Sequence, residues 1–311
     1  MICVKDLTMT FQSADLNAPF VALDRLNCQI PKGCIYGLVG TNGAGKSTLM
    51  RLFAGVYRPV GGSIEIDEQP IWENPRAKEK VVYIPDDLYF LPQSSLSKMA
   101  SFYRSVYPKF SWERYRKLVR TFVLDDKAPL GSFSKGMRRQ AATILGLSTM
   151  PDYLLFDETF DGLDPVMRKL VKQVIYNDIL ERRTTTIITS HSLRELEDTC
   201  DQLALLHKGG IVFESDIQNL KTAMFKVQIA FAEPFTREKF KGFDIVFYDQ
   251  QGSVCTMILR GDREINERKL RAMKPLLCDV LPLNLEEVFV WETEALGYRF
   301  SENHGEEENT K

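Results

Sequence analysis

Between residues 40 and 48 the chain reads Gly40-Thr41-Asn42-Gly43-Ala44-Gly45-Lys46-Ser47-Thr48, which fits the pattern G-x-x-x-x-G-K-[ST] without a departure. The apolar run Cys34-Ile35-Tyr36-Gly37-Leu38-Val39 leads into it. Behind it, Leu49, Met50, Leu52 and Phe53 give residues 47–55 a helical pattern. Together these predict a buried strand, a tight loop and a helix. Glycines let the backbone curl so that successive N–H groups face one anion, and Lys46 adds a point charge. Ser47 offers a hydroxyl to Mg²⁺, and the helix turns its positive dipole end on the same anion. Gly40 to Thr48 are therefore candidate contacts for a nucleoside triphosphate, ATP with Mg²⁺.

The rest of the composition narrows the class. The 311 residues suffice for one large core and a small second domain. Lys and Arg number 40 against 42 Asp and Glu, so the net charge of -2 gives no basic face of the kind nucleic acid requires. No nucleic-acid partner is expected. Six cysteines show no C-x-x-C spacing, which reads as free thiols in a reducing compartment, without zinc or a redox dithiol. The N-terminus has no signal-peptide pattern, and no apolar run reaches the roughly 20 residues that cross a bilayer. The chain reads as soluble, so work at a membrane requires docking onto a protein that spans it.

Apolar runs bounded by turn signals alternate with helical patterns, which predicts an α/β fold. Strands are expected at 63–66, 81–84, 153–156 and 185–189. The last two end in polar residues, where ligands sit in open α/β sheets. Residues 91–147 are rich in Arg, Lys and aromatics (Phe102, Tyr103, Tyr107, Phe110, Trp112) and read as a helical insertion, its aromatics serving packing. Past residue 218 the pattern changes to β-α-β-β-α-β over 219–293. Strands are expected at 225–231, 244–248, 254–260 and 277–283, and helices at 236–241 and 264–274. That order predicts a small ferredoxin-like α+β domain. Residues 294–311 form a polar, acidic stretch expected to be disordered.

Tyr153-Leu154-Leu155-Phe156-Asp157-Glu158 is an apolar strand ending in two carboxylates. Successive strand residues point to opposite faces, so the two acids take different roles. Asp157 is the candidate second partner of Mg²⁺, and Glu158 is placed to polarise a water attacking the γ-phosphate.

In these residues and those that follow, the chain resembles the ATP-binding-cassette (ABC) ATPase family over residues 1–215. Gly40–Thr48 matches its Walker A loop. Phe133-Ser134-Lys135-Gly136-Met137 matches the signature Leu-Ser-Gly-Gly-Gln in modified form, with Lys135 in place of a glycine and Met137 in place of the glutamine. The resemblance implies a P-loop NTPase fold of ABC type: a RecA-like core, an antiparallel β subdomain and a helical insertion. It implies that Ser134 and Gly136 reach the nucleotide of a partner in a head-to-tail dimer. Lys135 is either a solvated charge or an aid in neutralising phosphate. Phe160-Asp161-Gly162-Leu163-Asp164 matches the D-loop, with Thr159 replacing a proline and Asp164 expected at the dimer interface. His191 matches the switch histidine that contacts the γ-phosphate. Phe11, with Phe20 as the alternative, matches the aromatic that stacks on adenine. Asp86 stands where the family has glutamine, and is a candidate ligand of Mg²⁺ or its water.

Residues 102–112 and the closing Leu283-Asn284-Leu285-Glu286-Glu287-Val288-Phe289 resemble the bacterial export branch that serves acetoin and antibiotics. The resemblance implies an ATPase subunit paired with a second, identical or related, cassette and with an integral membrane permease. Its expected place is the inner face of the cell membrane. Two other readings stand beside it: an ABC-type factor of translation, repair or regulation, and an ATP sensor that does not hydrolyse. Retention of Glu158 and His191 argues against the last.

Overall fold

Strand alternation builds the first sheet. In β1 (Ile2–Phe11) the side chains of Ile2, Val4, Leu7 and Met9 are buried, and those of Lys5 and Asp6 face solvent. β1 pairs antiparallel with β2 (Phe20–Ile30) on one side and β4 (Gly61–Ile66) on the other; β5 (Gln69–Pro70) closes the edge. Leu23, Leu26, Ile64 and Ile66 from this sheet meet Leu49, Met50, Leu52 and Phe53 of α1 (Lys46–Phe53) in one core. Each such side chain contributes on the order of 1.5–3 kcal/mol when fully buried. The computed structural model describes residues 1–12, 19–158, 160 and 163–295.

A second sheet has the order β10-β9-β3-β8-β7-β6. Its strands are β3 (Ile35–Val39), β6 (Val81–Ile84), β7 (Tyr153–Asp157), β8 (Thr185–Ser190), β9 (Gln202–His207) and β10 (Gly210–Asp216). The pairs β9·β3, β3·β8, β8·β7 and β7·β6 are all parallel. Parallel strands are covered on both faces, which is why β3 and residues 153–156 of β7 are apolar runs and both strands are buried at every position. Short helices α2 (Pro75–Lys78) and α7 (Leu193–Glu197) and the long α6 (Pro165–Arg182) lie in the connections.

The insertion folds as α3 (Leu96–Val106), α4 (Trp112–Phe122), a 3₁₀ turn at Leu130–Ser132 and α5 (Lys135–Ser148). Ser95, Ser111 and Ser134 cap the three α-helices, each accepting a backbone N–H from the first turn. Its aromatics pack on one another: Trp112 meets Phe110 at 5.1 Å and Tyr115 at 5.5 Å between ring centroids.

The chain divides into two compact units, Met1–Ser215 and Asp216–Lys311. The division falls just before the expected 218/219, because the Asp216 carboxylate already caps α8 (Ile217–Ala223) by accepting Gln218 N at 2.8 Å. The second unit holds β11 (Met224–Ala230), β12 (Asp244–Gln251), β13 (Val254–Arg260), α9 (Arg263–Ala272), β14 (Leu277–Pro282) and α10 (Leu285–Ala295). Its sheet has the order β12-β13-β11-β14, with antiparallel neighbours throughout. The helix expected over 236–241 is instead a 3₁₀ turn at Arg237–Phe240, ended by Gly242 at φ 100°. Glu294 and Ala295 complete α10; the rest of the expected tail lies outside the described residues, as do Thr159, Asp161 and Gly162. All six cysteines are free thiols, and burial pushes Cys28 up to about 12 and Cys34 up to about 11. Among the described residues no helix is long and apolar enough to cross a membrane.

Candidate active site

Four parallel strands deliver the site. Val39 ends β3 opposite Ser190 of β8, Asp157 ends β7 opposite Thr189, and Ile84 ends β6 opposite Phe156. The segments beginning at Gly40, His191, Glu158 and Pro85 therefore leave the same edge of the sheet, at the carboxyl ends of its strands. They border a cleft of about 470 Å³.

The loop after β3 lies hard against its neighbours. A Cβ at Gly40 would stand 2.4 Å from the Leu206 carbonyl oxygen. Gly45 holds φ 108°, and a Cβ there would stand 2.7 Å from the Ala22 carbonyl oxygen. A side chain at either position would displace the loop. No side chain caps α1, so the N-terminal turn at Lys46, Ser47 and Thr48 faces the cleft with its N–H groups uncapped by side chains. The Lys46 ammonium, 6% exposed, donates to Gly40 O at 2.6 Å and Thr41 O at 3.3 Å.

Glu158 follows β7 with φ 51°, a left-handed conformation uncommon for a residue with a side chain. This bend carries its carboxylate to the cleft. Oε1 lies 3.3 Å from Lys46 Nζ and Oε2 lies 2.9 Å from His191 Nδ1. Asp157, one residue earlier, is 1% exposed. Thr189 donates to its Oδ1 at 2.7 Å and Tyr83 donates to its Oδ2 at 2.9 Å. The same Thr189 hydroxyl accepts Glu158 N at 2.9 Å, which ties the two acids together. Burial, then the charge of Asp157, push the Tyr83 phenol well above its ordinary value, so it remains a donor at neutral pH.

Asp86 also borders the cleft. Its Oδ1 lies 2.5 Å from Nη2 of Arg139, whose Nη1 donates to the Glu158 carbonyl at 2.8 Å. Ser47 and Asp86 border the cleft and Asp157 ends β7 at the same sheet edge, and all three offer oxygens of the kind a hard divalent cation takes. Asp157 has hydroxyl partners but no ion pair among the described residues, leaving a buried negative charge that fits such a cation. Among those residues no three His, Cys, Asp or Glu group as a self-sufficient metal site.

The structure brings together the loop, Asp86, Asp157, Glu158 and His191. It does not bring Ser134, Gly136 or Asp164 into this cleft: Ser134 caps α5, Gly136 lies in its first turn, and Asp164 caps α6 through Val166 N and Met167 N. Of the two candidate aromatics, Phe11 is partly buried against the core with its ring edge-on to Tyr57 at 5.6 Å, whereas Phe20, 49% exposed, lines the cleft. Tyr83, Thr189 and Arg139 were not singled out in the sequence. A polar Thr opposite Asp157 on a parallel strand is a signal for the second of them; nothing local marks the others.

A chain with this loop at a parallel-sheet edge is a P-loop NTPase by fold. The family model described as ABC transporter matches residues 23–161. The chain is 30% identical over 268 residues to the ABC transporter ATP-binding protein YtrB of Bacillus subtilis, covering 86% of this chain and 91% of YtrB. To the bacitracin transport ATP-binding protein BcrA of Bacillus licheniformis it is 29% identical over 204 residues, 64% of this chain and 66% of BcrA. A solved ATP-binding subunit of an ABC transporter superposes with a TM-score of 0.63 at 23% identity, over 71% of this chain and 92% of that one. The ATP-binding cassette MJ0796, solved as a dimer bound to ADP and Pi, superposes at 0.62 with 18% identity, over 70% and 99%. The chain belongs to the ABC transporter ATP-binding proteins. It is an ATP-binding, ATP-hydrolysing subunit.

Proposed function

We propose that this chain is one half of a cassette pair that closes head-to-tail on two ATP molecules and so moves a separate membrane permease, in the direction of export. The observation that carries the reading is the convergence of Lys46, Glu158 and His191 at the mouth of one cleft. In it, the N–H groups of Gly40–Thr48 and the Lys46 ammonium hold the β- and γ-phosphates, and Phe20 stacks on adenine. Ser47 and Asp157, with Asp86, would hold Mg²⁺, and the ion would supply positive charge to the phosphates. Glu158 accepts a hydrogen bond from the attacking water and polarises it. His191 fixes the Glu158 carboxylate and meets the γ-phosphate.

Ser134, Gly136 and Asp164 lie outside the chain's own cleft, which supports their acting on the nucleotide of a second subunit. ATP does work in such a pair because it favours the closed dimer over the open one. The export direction rests on the resemblance of residues 102–112 and 283–289 to the export branch. The nucleotide-binding domain of this proposal takes in residues 1–218 with its insertion at 91–147, and 219–293 forms a ferredoxin-like accessory domain. The pair rests on the inner face of the cell membrane through its permease.

The full chain carrying Glu158→Gln, sedimented with ATP and Mg²⁺, should run as a dimer, and with ADP as a monomer. Adding Ser134→Arg should leave it monomeric at saturating ATP. A Glu158→Gln chain that stays monomeric with ATP, or a dimer indifferent to Ser134→Arg, contradicts the head-to-tail pair.

A further inference from the structure

The loop after β6 carries an acid, Asp86, and the structure shows what that acid does. Asp86 meets Arg139, a guanidinium 2% exposed at the start of α5. A charge held that far from water requires a partner, and Asp86 Oδ1 at 2.5 Å supplies it. Arg139 has a second duty: its Nη1 donates at 2.8 Å to the carbonyl of Glu158, the residue whose φ is 51°. A left-handed non-glycine persists only when its surroundings over-determine it. Here the N–H is held by Thr189 and the carbonyl by Arg139. The neighbouring Arg138 adds to the junction, donating to Leu88 O at 3.1 Å and lying over the Phe90 ring at 5.6 Å. One end of α5 thus grips both the loop after β6 and the turn that aims Glu158.

We propose that Arg139 is a positioning residue for ATP hydrolysis, fixing the Glu158 turn through its carbonyl, and that Asp86 acts first as the counter-ion of Arg139. The inference rests on Glu158 acting as the base. An acid with an arginine behind it presents the cleft with no net charge, as an amide would. The planar fork is essential, since it reaches carbonyl and carboxylate at once, which a lysine ammonium does not reproduce.

The test uses the full chain with Asp86→Gln, Arg139→Gln, the double variant and Arg139→Lys. Steady-state turnover with Mg·ATP should fall about tenfold or more in kcat for Arg139→Gln, with KM changed by less than about threefold, because orientation and not nucleotide binding is lost. The double variant should be no slower than the slower single one, the mark of residues acting as a unit. Arg139→Lys should regain thermal stability relative to Arg139→Gln without regaining kcat. In thermal melts without nucleotide, Asp86→Gln should melt below the double variant, because it alone leaves the buried guanidinium without its counter-ion. Multiplying effects, a change confined to KM, full kcat in Arg139→Lys, or Asp86→Gln melting at or above the double variant would overturn the proposal. If Glu158→Gln turns over like the parent, the reading of Glu158 fails. The order of the melts still decides the ion pair.

Discussion

Lys46 Nζ and Glu158 Oε1 lie 3.3 Å apart, with side chains only 6% and 15% exposed. The same ammonium donates to the Gly40 carbonyl at 2.6 Å, so one cation is shared between the floor of the glycine loop and the carboxylate across the cleft. Two strands that meet only through the sheet, β3 and β7, are thereby linked at the place where phosphates enter. In the proposed reading, this one side chain couples nucleotide and base.

Removing that cation should act on binding first. Lys46→Ala loses charge-assisted hydrogen bonds to phosphate of about 1.5–3 kcal/mol each, so ATP affinity should fall about 100-fold. Titration with a fluorescent ATP analogue measures it. Affinity within about threefold of the parent would contradict the placement of the β- and γ-phosphates at Lys46.

The two candidate aromatics should separate cleanly. Phe20→Ala should weaken ATP binding by about 1–3 kcal/mol, the range of base–aromatic stacking, and leave the melting temperature nearly unchanged. Phe11→Ala, which strips a ring from Tyr57 and the core, should lower the melting temperature and spare affinity. Calorimetric titration and thermal melts on both variants check it; the opposite pattern would return the adenine to Phe11.

Much of this was legible in the chain itself, for physical reasons. The glycine loop and the acidic strand end are local: their chemistry is fixed by neighbours within ten residues, and the parallel sheet then brings Val39, Asp157 and Ser190 level. Motif spacing favours Phe11 over Phe20, but the two face each other in the β1·β2 register, and the packing of Phe11 on Tyr57 is a long-range contact that spacing does not show. Arg139 was invisible for a related reason. Its meaning comes from Asp86, 53 residues away, and from a carbonyl, which carries no mark in the sequence. The helix expected over 236–241 failed because the segment has room for one turn before Gly242, and Phe240 is drawn into the core of the second unit.

Acid should weaken the first unit through Asp67. Burial alone would raise this carboxyl, but hydrogen bonds from Lys32, Tyr153 and Lys80 hold it well below the usual carboxylate range. A depressed folded pKa adds stability above the unfolded value of about 4, and that stability is lost as pH falls toward the folded value. Asp67→Asn should therefore cost about 1–2 kcal/mol at pH 7 in urea denaturation, with the gap to the parent narrowing below about pH 4. A gap that widens on acidification would contradict the assignment.

The central claim is that the Glu158 carboxylate, aimed by its left-handed turn between Lys46 and His191, activates the attacking water. Phosphate release by the Glu158→Gln chain, measured beside its ATP affinity, tests this most directly. Turnover should fall by about 10²–10⁴, the range of a lost general base, while ATP still binds within about threefold. Unchanged phosphate release, with ATP bound as before, would contradict it.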